Sequence, residues 1–138
     1  VANGIQALET DGFQIGTYAT GGRSVNVNLR VYYYVAIKAS ADFYSGQYTG
    51  NGSDNRDITA PGFQPDYIWI KDTNTAGSAM RSSDMTGDNT KTYRSSGFVS
   101  NVVQSFISTG FQIGTAIEVN ASGRTYNYFT FCINYLLT

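Results

Sequence analysis

The chain has 138 residues, a net charge of −1 and no histidine. Its length suits one domain with a real core. Charged residues make up 14%, roughly half the usual share, and Gly, Ser, Thr, Asn and eleven Tyr fill the difference. That mixture excludes a helical bundle and favours strands joined by tight turns. Basic residues are scattered singly, so phosphate neutralisation along a nucleic acid has little to work with. No apolar run approaches a membrane span. Nucleic acid and membrane are therefore not expected partners. The single Cys132 excludes an internal disulfide and reads, in Phe129-Thr-Phe-Cys-Ile133, as a small buried hydrophobe. The chain opens at Val1, which reads as a processed end or the edge of a fragment.

In chain order, Phe13 and Ile15 in Gly12-Phe-Gln-Ile-Gly16 fall on one face of a short strand. Val31–Ala39 is a long aromatic strand in which Tyr32-Tyr-Tyr34 puts rings on both faces. Such a strand is either covered on both sides or exposes tyrosines for contact. Asp42–Thr49 reads as a strand, residues 51–57 as a turn-rich loop, Ile58–Ala60 as a short strand and Tyr67–Lys71 as a strong strand. Asp72–Gly77 reads as a turn. Ser78–Thr92 is polar and reads as edge strand or surface loop. Residues 99–107 are the one place for a short helix. Thr125–Ile133 is the closing aromatic strand.

The chain repeats itself. Gly-Phe-Gln-Ile-Gly-Thr is identical at 12–17 and 110–115, and upstream Val1, Asn3 and Gln6 match Val99, Asn101 and Gln104. Downstream, Val27-Asn28 echoes Val119-Asn120, and Arg30–Ile37 echoes Arg124–Phe131. Residues 1–39 and 99–138 are thus two copies of one two-strand β unit around a middle segment, 40–98. The expected fold is all-β: a single antiparallel β-sandwich over 1–138, jelly-roll or lectin-like.

Four segments in order carry a resemblance: Tyr48-Thr-Gly-Asn-Gly52, Gly62-Phe-Gln-Pro-Asp-Tyr-Ile-Trp-Ile-Lys-Asp72, Ser105-Phe-Ile-Ser-Thr-Gly-Phe-Gln-Ile-Gly114 and Val119-Asn-Ala-Ser-Gly-Arg-Thr-Tyr126. Over residues 47–138 the chain resembles a β-rich repeat of tailed-phage virion proteins. The resemblance implies a tail, fibre or surface component and brings no catalytic residues. Residues 1–39 then look like a second closing half without an opening half before it. Unpaired strand edges recruit neighbours, so residues 1–39 could pack on residues 40–98 of an adjacent subunit. The alternative, favoured by the size of the chain, has both closing halves on the one middle segment.

The sequence offers little chemistry. Without histidine the commonest general base and metal ligand is missing. The two glutamates, Glu9 and Glu118, do not share a motif, and most aspartates sit in turn contexts. Asp54, Asn55, Asp57, Asp72 and Asn74 are calcium-type ligands without an EF-hand spacing. The expectation is a non-enzymatic structural protein of a virion or extracellular filament, without cofactor or metal. Its expected partners are copies of itself, other virion proteins and host surface glycans. Tyr32, Tyr33, Tyr34, Phe13 and Ile15 are the assembly candidates. A carbohydrate-binding or host-adhesion module is the rival reading, with Trp69, Tyr67 and Tyr126 as stacking candidates. Ile68 and Ile70 on the opposite face argue that Trp69 is core or interface instead.

Overall fold

A computed structural model describes residues 4–17, 25–74 and 77–133. The chain divides into two units, residues 1–38 and 39–138. The first unit carries an antiparallel hairpin of β1 (Ile5–Leu8) and β2 (Phe13–Ile15), with a register slip between Ile5 and Ala7. Its turn closes where Glu9 N donates to Gly12 O at 2.9 Å. The expected aromatic strand at 31–39 joins no ladder over residues 30–38.

The regular structure of the second unit is almost entirely strand. Its elements are β3 (Phe43–Thr49), β4 (Arg56–Ile58), β5 (Tyr67–Asp72), β6 (Ser78–Ser82), β7 (Thr90–Thr92) and β8 (Phe98–Val99). These are followed by β9 (Val103–Ile107), β10 (Gly110–Ile113), the single turn α1 (Ile117–Asn120) and β11 (Thr125–Phe131). Six strands form an antiparallel sheet in the order β3-β11-β5-β6-β7-β8, and three form a second sheet, β4-β10-β9. The large sheet ends at β3 and β8, so it is open and not a closed barrel.

The pleat of β5 sorts its residues by chemistry. Ile68, Ile70 and Asp72 are buried, while Tyr67, Trp69 and Lys71 are half-buried on the other face. β11 is central: all seven of its residues pair with β3, and Tyr126–Phe131 also pair with β5. Its inner residues Tyr126 and Tyr128 join Ile68, Ile70 and Ala79 in one core with Ile58, Phe111 and Ile113 of the small sheet. Phe111 bridges the two sheets, edge-on to Tyr128 at 5.2 Å and 6.4 Å from Tyr48. Gly110 is required where β10 passes β4, because a Cβ there would collide with the Ile58 carbonyl oxygen.

Several expectations change. Residues 99–107 form β8 and β9 rather than a helix, because β-branched Val102 and Val103 are fully buried and β9 has β10 as its hairpin partner. Ser78–Ser82 is an interior strand, not surface. Its Arg81 is buried and its guanidinium donates to the carbonyls of Asn89, Val103, Met85 and Gly87 at 2.6–3.1 Å. A buried arginine whose two Nη atoms bond backbone carbonyls leaves no apolar signal in sequence. The short strand lies at Arg56–Ile58, not Ile58–Ala60. Cys132 is half-exposed, with its thiol 3.5 Å from Asp42 Oδ1, rather than a buried hydrophobe.

Candidate functional site

Among the described residues the two segments share a set of pairings and hydrogen bonds. Ile5, Ala7 and Leu8 pair with Ile15, Gln14 and Phe13, as Val103, Ser105 and Phe106 pair with Ile113, Gln112 and Phe111. The register slips at the corresponding step in both hairpins. Gly16 N donates to Gly4 O at 2.8 Å, and Gly114 N to Val102 O at 2.8 Å. Asn26 Nδ2 donates to Gly16 O at 3.0 Å, and Asn120 Nδ2 to Gly114 O at 2.9 Å. Val27 N donates to the Tyr32 hydroxyl at 3.1 Å, and Ala121 N to that of Tyr126 at 2.9 Å. Leu29 takes φ 61° where Gly123 takes φ 77°. Phe13 meets Tyr34 edge-on at 4.9 Å, as Phe111 meets Tyr128.

This geometry corrects one correspondence. Val25-Asn26, not Val27-Asn28, matches Val119-Asn120, because Asn26 makes the Asn120 bond and the match then runs without a gap from Val25 to Ile37.

What differs is cover. Tyr128 is 4% exposed and Tyr34 73%; Val103 and Ile113 are 0% exposed, but Ile5 is 64% and Ile15 41%. Tyr33 is 96% exposed, and Val31, Val35 and Ile37 are also exposed. Phe13 is half-buried in β2. The assembly candidates Tyr32, Tyr33, Tyr34, Phe13 and Ile15 thus come together in the first unit around one apolar cleft of about 650 Å³. Isolated exposed hydrophobes are ordinary, but a contiguous set marks an interaction surface. Arg30 also lines this cleft.

In the second unit the stacking candidates separate. Tyr126 is fully buried, donating to Ile117 O at 2.7 Å, and so offers no face to a ligand. Burial pushes its phenol above the ordinary range. Tyr67 and Trp69 sit on the outer face of the large sheet. Trp69 is half-buried there. Here near-parallel rings lean on one another: Trp69 on Phe129 at 5.5 Å, Tyr67 on Phe131 at 5.2 Å and Phe43 on Phe129 at 6.1 Å. Burial, then the nearby Tyr93, raises the Tyr67 phenol. A groove of about 350 Å³ beside Tyr67 is lined by Asp66, Ser82, Asp84 and Phe131.

The calcium-type residues have other duties. Asp54 accepts from Asn55 N and Gln104, Asp57 from Gln112, and the buried Asp72 pairs with Arg124 at 3.2 Å. Among the described residues no group of three His, Cys, Asp or Glu side chains could hold a metal. No helix among them is long and apolar enough to cross a membrane.

Sequence reasoning missed Asn120, the polar centre of the second unit. Its Nδ2 donates to Ser53 O at 2.7 Å as well as to Gly114 O, and its Oδ1 accepts from Asn51 N at 3.0 Å and from Arg56. The signal was present in the repeated Val-Asn pair.

No curated protein and no solved structure matches the chain. A family model described as a domain of unknown function (DUF7483) matches residues 38–133, which is the second unit with one residue ahead of it and without the last five. The chain therefore belongs to the DUF7483 family.

Proposed function

We propose that this chain is a non-enzymatic structural protein of a phage virion or extracellular filament, built on a two-layer β-sandwich and joined to its neighbours through β-sheet surfaces. One observation carries this reading: residues 31–37 present a run of exposed aromatic and β-branched side chains whose counterparts in β11 are paired on both edges. Such a strand is a template for pairing. The absence of histidine and the engagement of the carboxylates in structural hydrogen bonds favour assembly over catalysis. The four-segment resemblance to virion repeats supplies the location, a virion surface or another extracellular assembly. Neighbours are copies of the chain, other virion proteins or host glycans.

Carbohydrate binding is the second reading. It is favoured by the groove in which Asp66, Asp84 and Ser82 flank the ring of Tyr67. The ring faces of Tyr67, Trp69 and Phe129 are engaged with one another, which leaves less free platform for a sugar.

Electron microscopy with mass measurement on native material at neutral pH tests the first reading. Ordered filaments, rings or particles containing the chain are expected. A monodisperse monomer that binds immobilised glycans, with binding lost in Tyr67→Ala, would transfer the function to the second.

A further inference from the structure

Over its described residues the first unit carries the local bonds of a closing half, and its counterpart shows what such a half is shaped to meet. β11 sits between β3 and β5, with Tyr126 and Tyr128 turned to the core, and Arg124 reaches the buried Asp72 of β5. Position for position, residues 31–37 repeat this strand, with Tyr32 and Tyr34 at the core positions and Arg30 at the place of Arg124. No carboxylate among the described residues pairs with Arg30.

Residues 39–98 of a copy do not seat the first unit without a loss elsewhere, for a reason of stoichiometry. Residues 1–138 hold two closing halves, 1–38 and 99–133, and one opening half, 39–98. The single slot between β3 and β5 is already taken by the chain's own β11. Packing residues 1–39 on residues 40–98 of a neighbour therefore exposes one closing half for each that it covers. Exchange between copies gains no net pairing.

We propose that the cleft of the first unit is the seat of a second opening half: a polypeptide with the strand pattern of residues 39–98, other than residues 39–98 themselves. Its β3-type and β5-type strands pair both edges of residues 31–37, its apolar face covers Ile5, Ile15 and Tyr34, and its Asp72-type carboxylate meets Arg30. This names the partner of the surface on which the assembly reading rests. Hydrogen bonds on both edges and a buried ion pair give the seat specificity for that pattern, where an apolar cleft alone would accept many chains.

The test places residues 39–98 directly ahead of Val1 in the full 138-residue chain, since position 1 corresponds to position 99 and the duplication restores the register. Hydrogen exchange is then followed at the amides of residues 31–37. The duplicated chain should slow exchange there at least ~100-fold relative to the original chain. Val35→Pro in the duplicated chain should return these amides to fast exchange and leave residues 125–131 protected. Fast exchange at 31–37 alongside protected 125–131 overturns the proposal. So does concentration-dependent protection of 31–37 in the original chain alone, which would make a second copy the occupant. If the duplicated chain loses protection at 125–131 too, the same readout is taken with a flexible Gly/Ser linker of about ten residues between the duplicate and Val1, where fast exchange at 31–37 overturns it. An unprotected strand together with ordered native particles removes this inference and leaves the assembly reading standing.

Discussion

Asn120 donates from Nδ2 to the Gly114 carbonyl at 2.9 Å in the buried end of the second unit, tying α1 to the end of β10. The same side chain collects Ser53 O, Asn51 N and Arg56, so one amide joins the loop after β3, β4, β10 and α1. Its partner in the first unit, Asn26, makes the bond to Gly16 but is itself exposed. The equivalent bond therefore carries unequal weight in the two copies.

Asn120→Ala should cost about 3 kcal/mol, since several buried partners lose their hydrogen bonds at once. Asn26→Ala should cost less than about 1 kcal/mol. Urea unfolding of both variants checks this. Equal losses would mean that Asn120 is not the polar centre its bonds describe.

Arg81 holds the loop between β6 and β7 by donating to four carbonyls, with Phe106 5.9 Å from its guanidinium carbon. Burial lowers its pKa, opposed by Asp88. Arg81→Met keeps the stem and removes the fork, leaving Val103 O and three loop carbonyls without that donor. A loss of about 3 kcal/mol is expected, together with faster proteolysis within residues 83–89. Arg81→Lys should recover less than half of it, because one ammonium does not span four carbonyls.

Alkaline pH should unfold the second unit. Burial raises the Tyr48 phenol well above its ordinary value of 10.0, and burial with the neighbouring Tyr44 raises Tyr128 as well. The neutral form is favoured in the fold, so the stability this contributes is fully present below about pH 10 and falls as pH rises above it. Denaturant midpoints measured from pH 7 to 12 should be flat to about pH 9 and then decline. Complete phenolate formation with the fold intact would contradict this burial.

Leu29 occupies the left-handed region at φ 61°, where its counterpart is glycine. Leu29→Gly should stabilise the first unit by about 1 kcal/mol by removing the Cβ clash. Exchange of the amides in β1 and β2 reads the effect. No change would mean that the turn is already open in solution.

The all-β class, the strands at 43–49, 67–72 and 125–131 and the internal repeat were legible in the sequence, because period-two alternation and a repeated hexapeptide are local properties. Tyr32, Tyr33 and Tyr34 line one cleft with Phe13 and Ile15. Tertiary structure alone decided which copy finds partners. Residues 31–37 and 125–131 are both aromatic and carry the same local bonds, yet only the second lies between β3 and β5. It also buried Tyr126, half-buried Trp69 and turned polar Arg81 inward. Burial and pairing belong to the neighbour a strand meets, and a strand's own residues do not encode whether that neighbour is present.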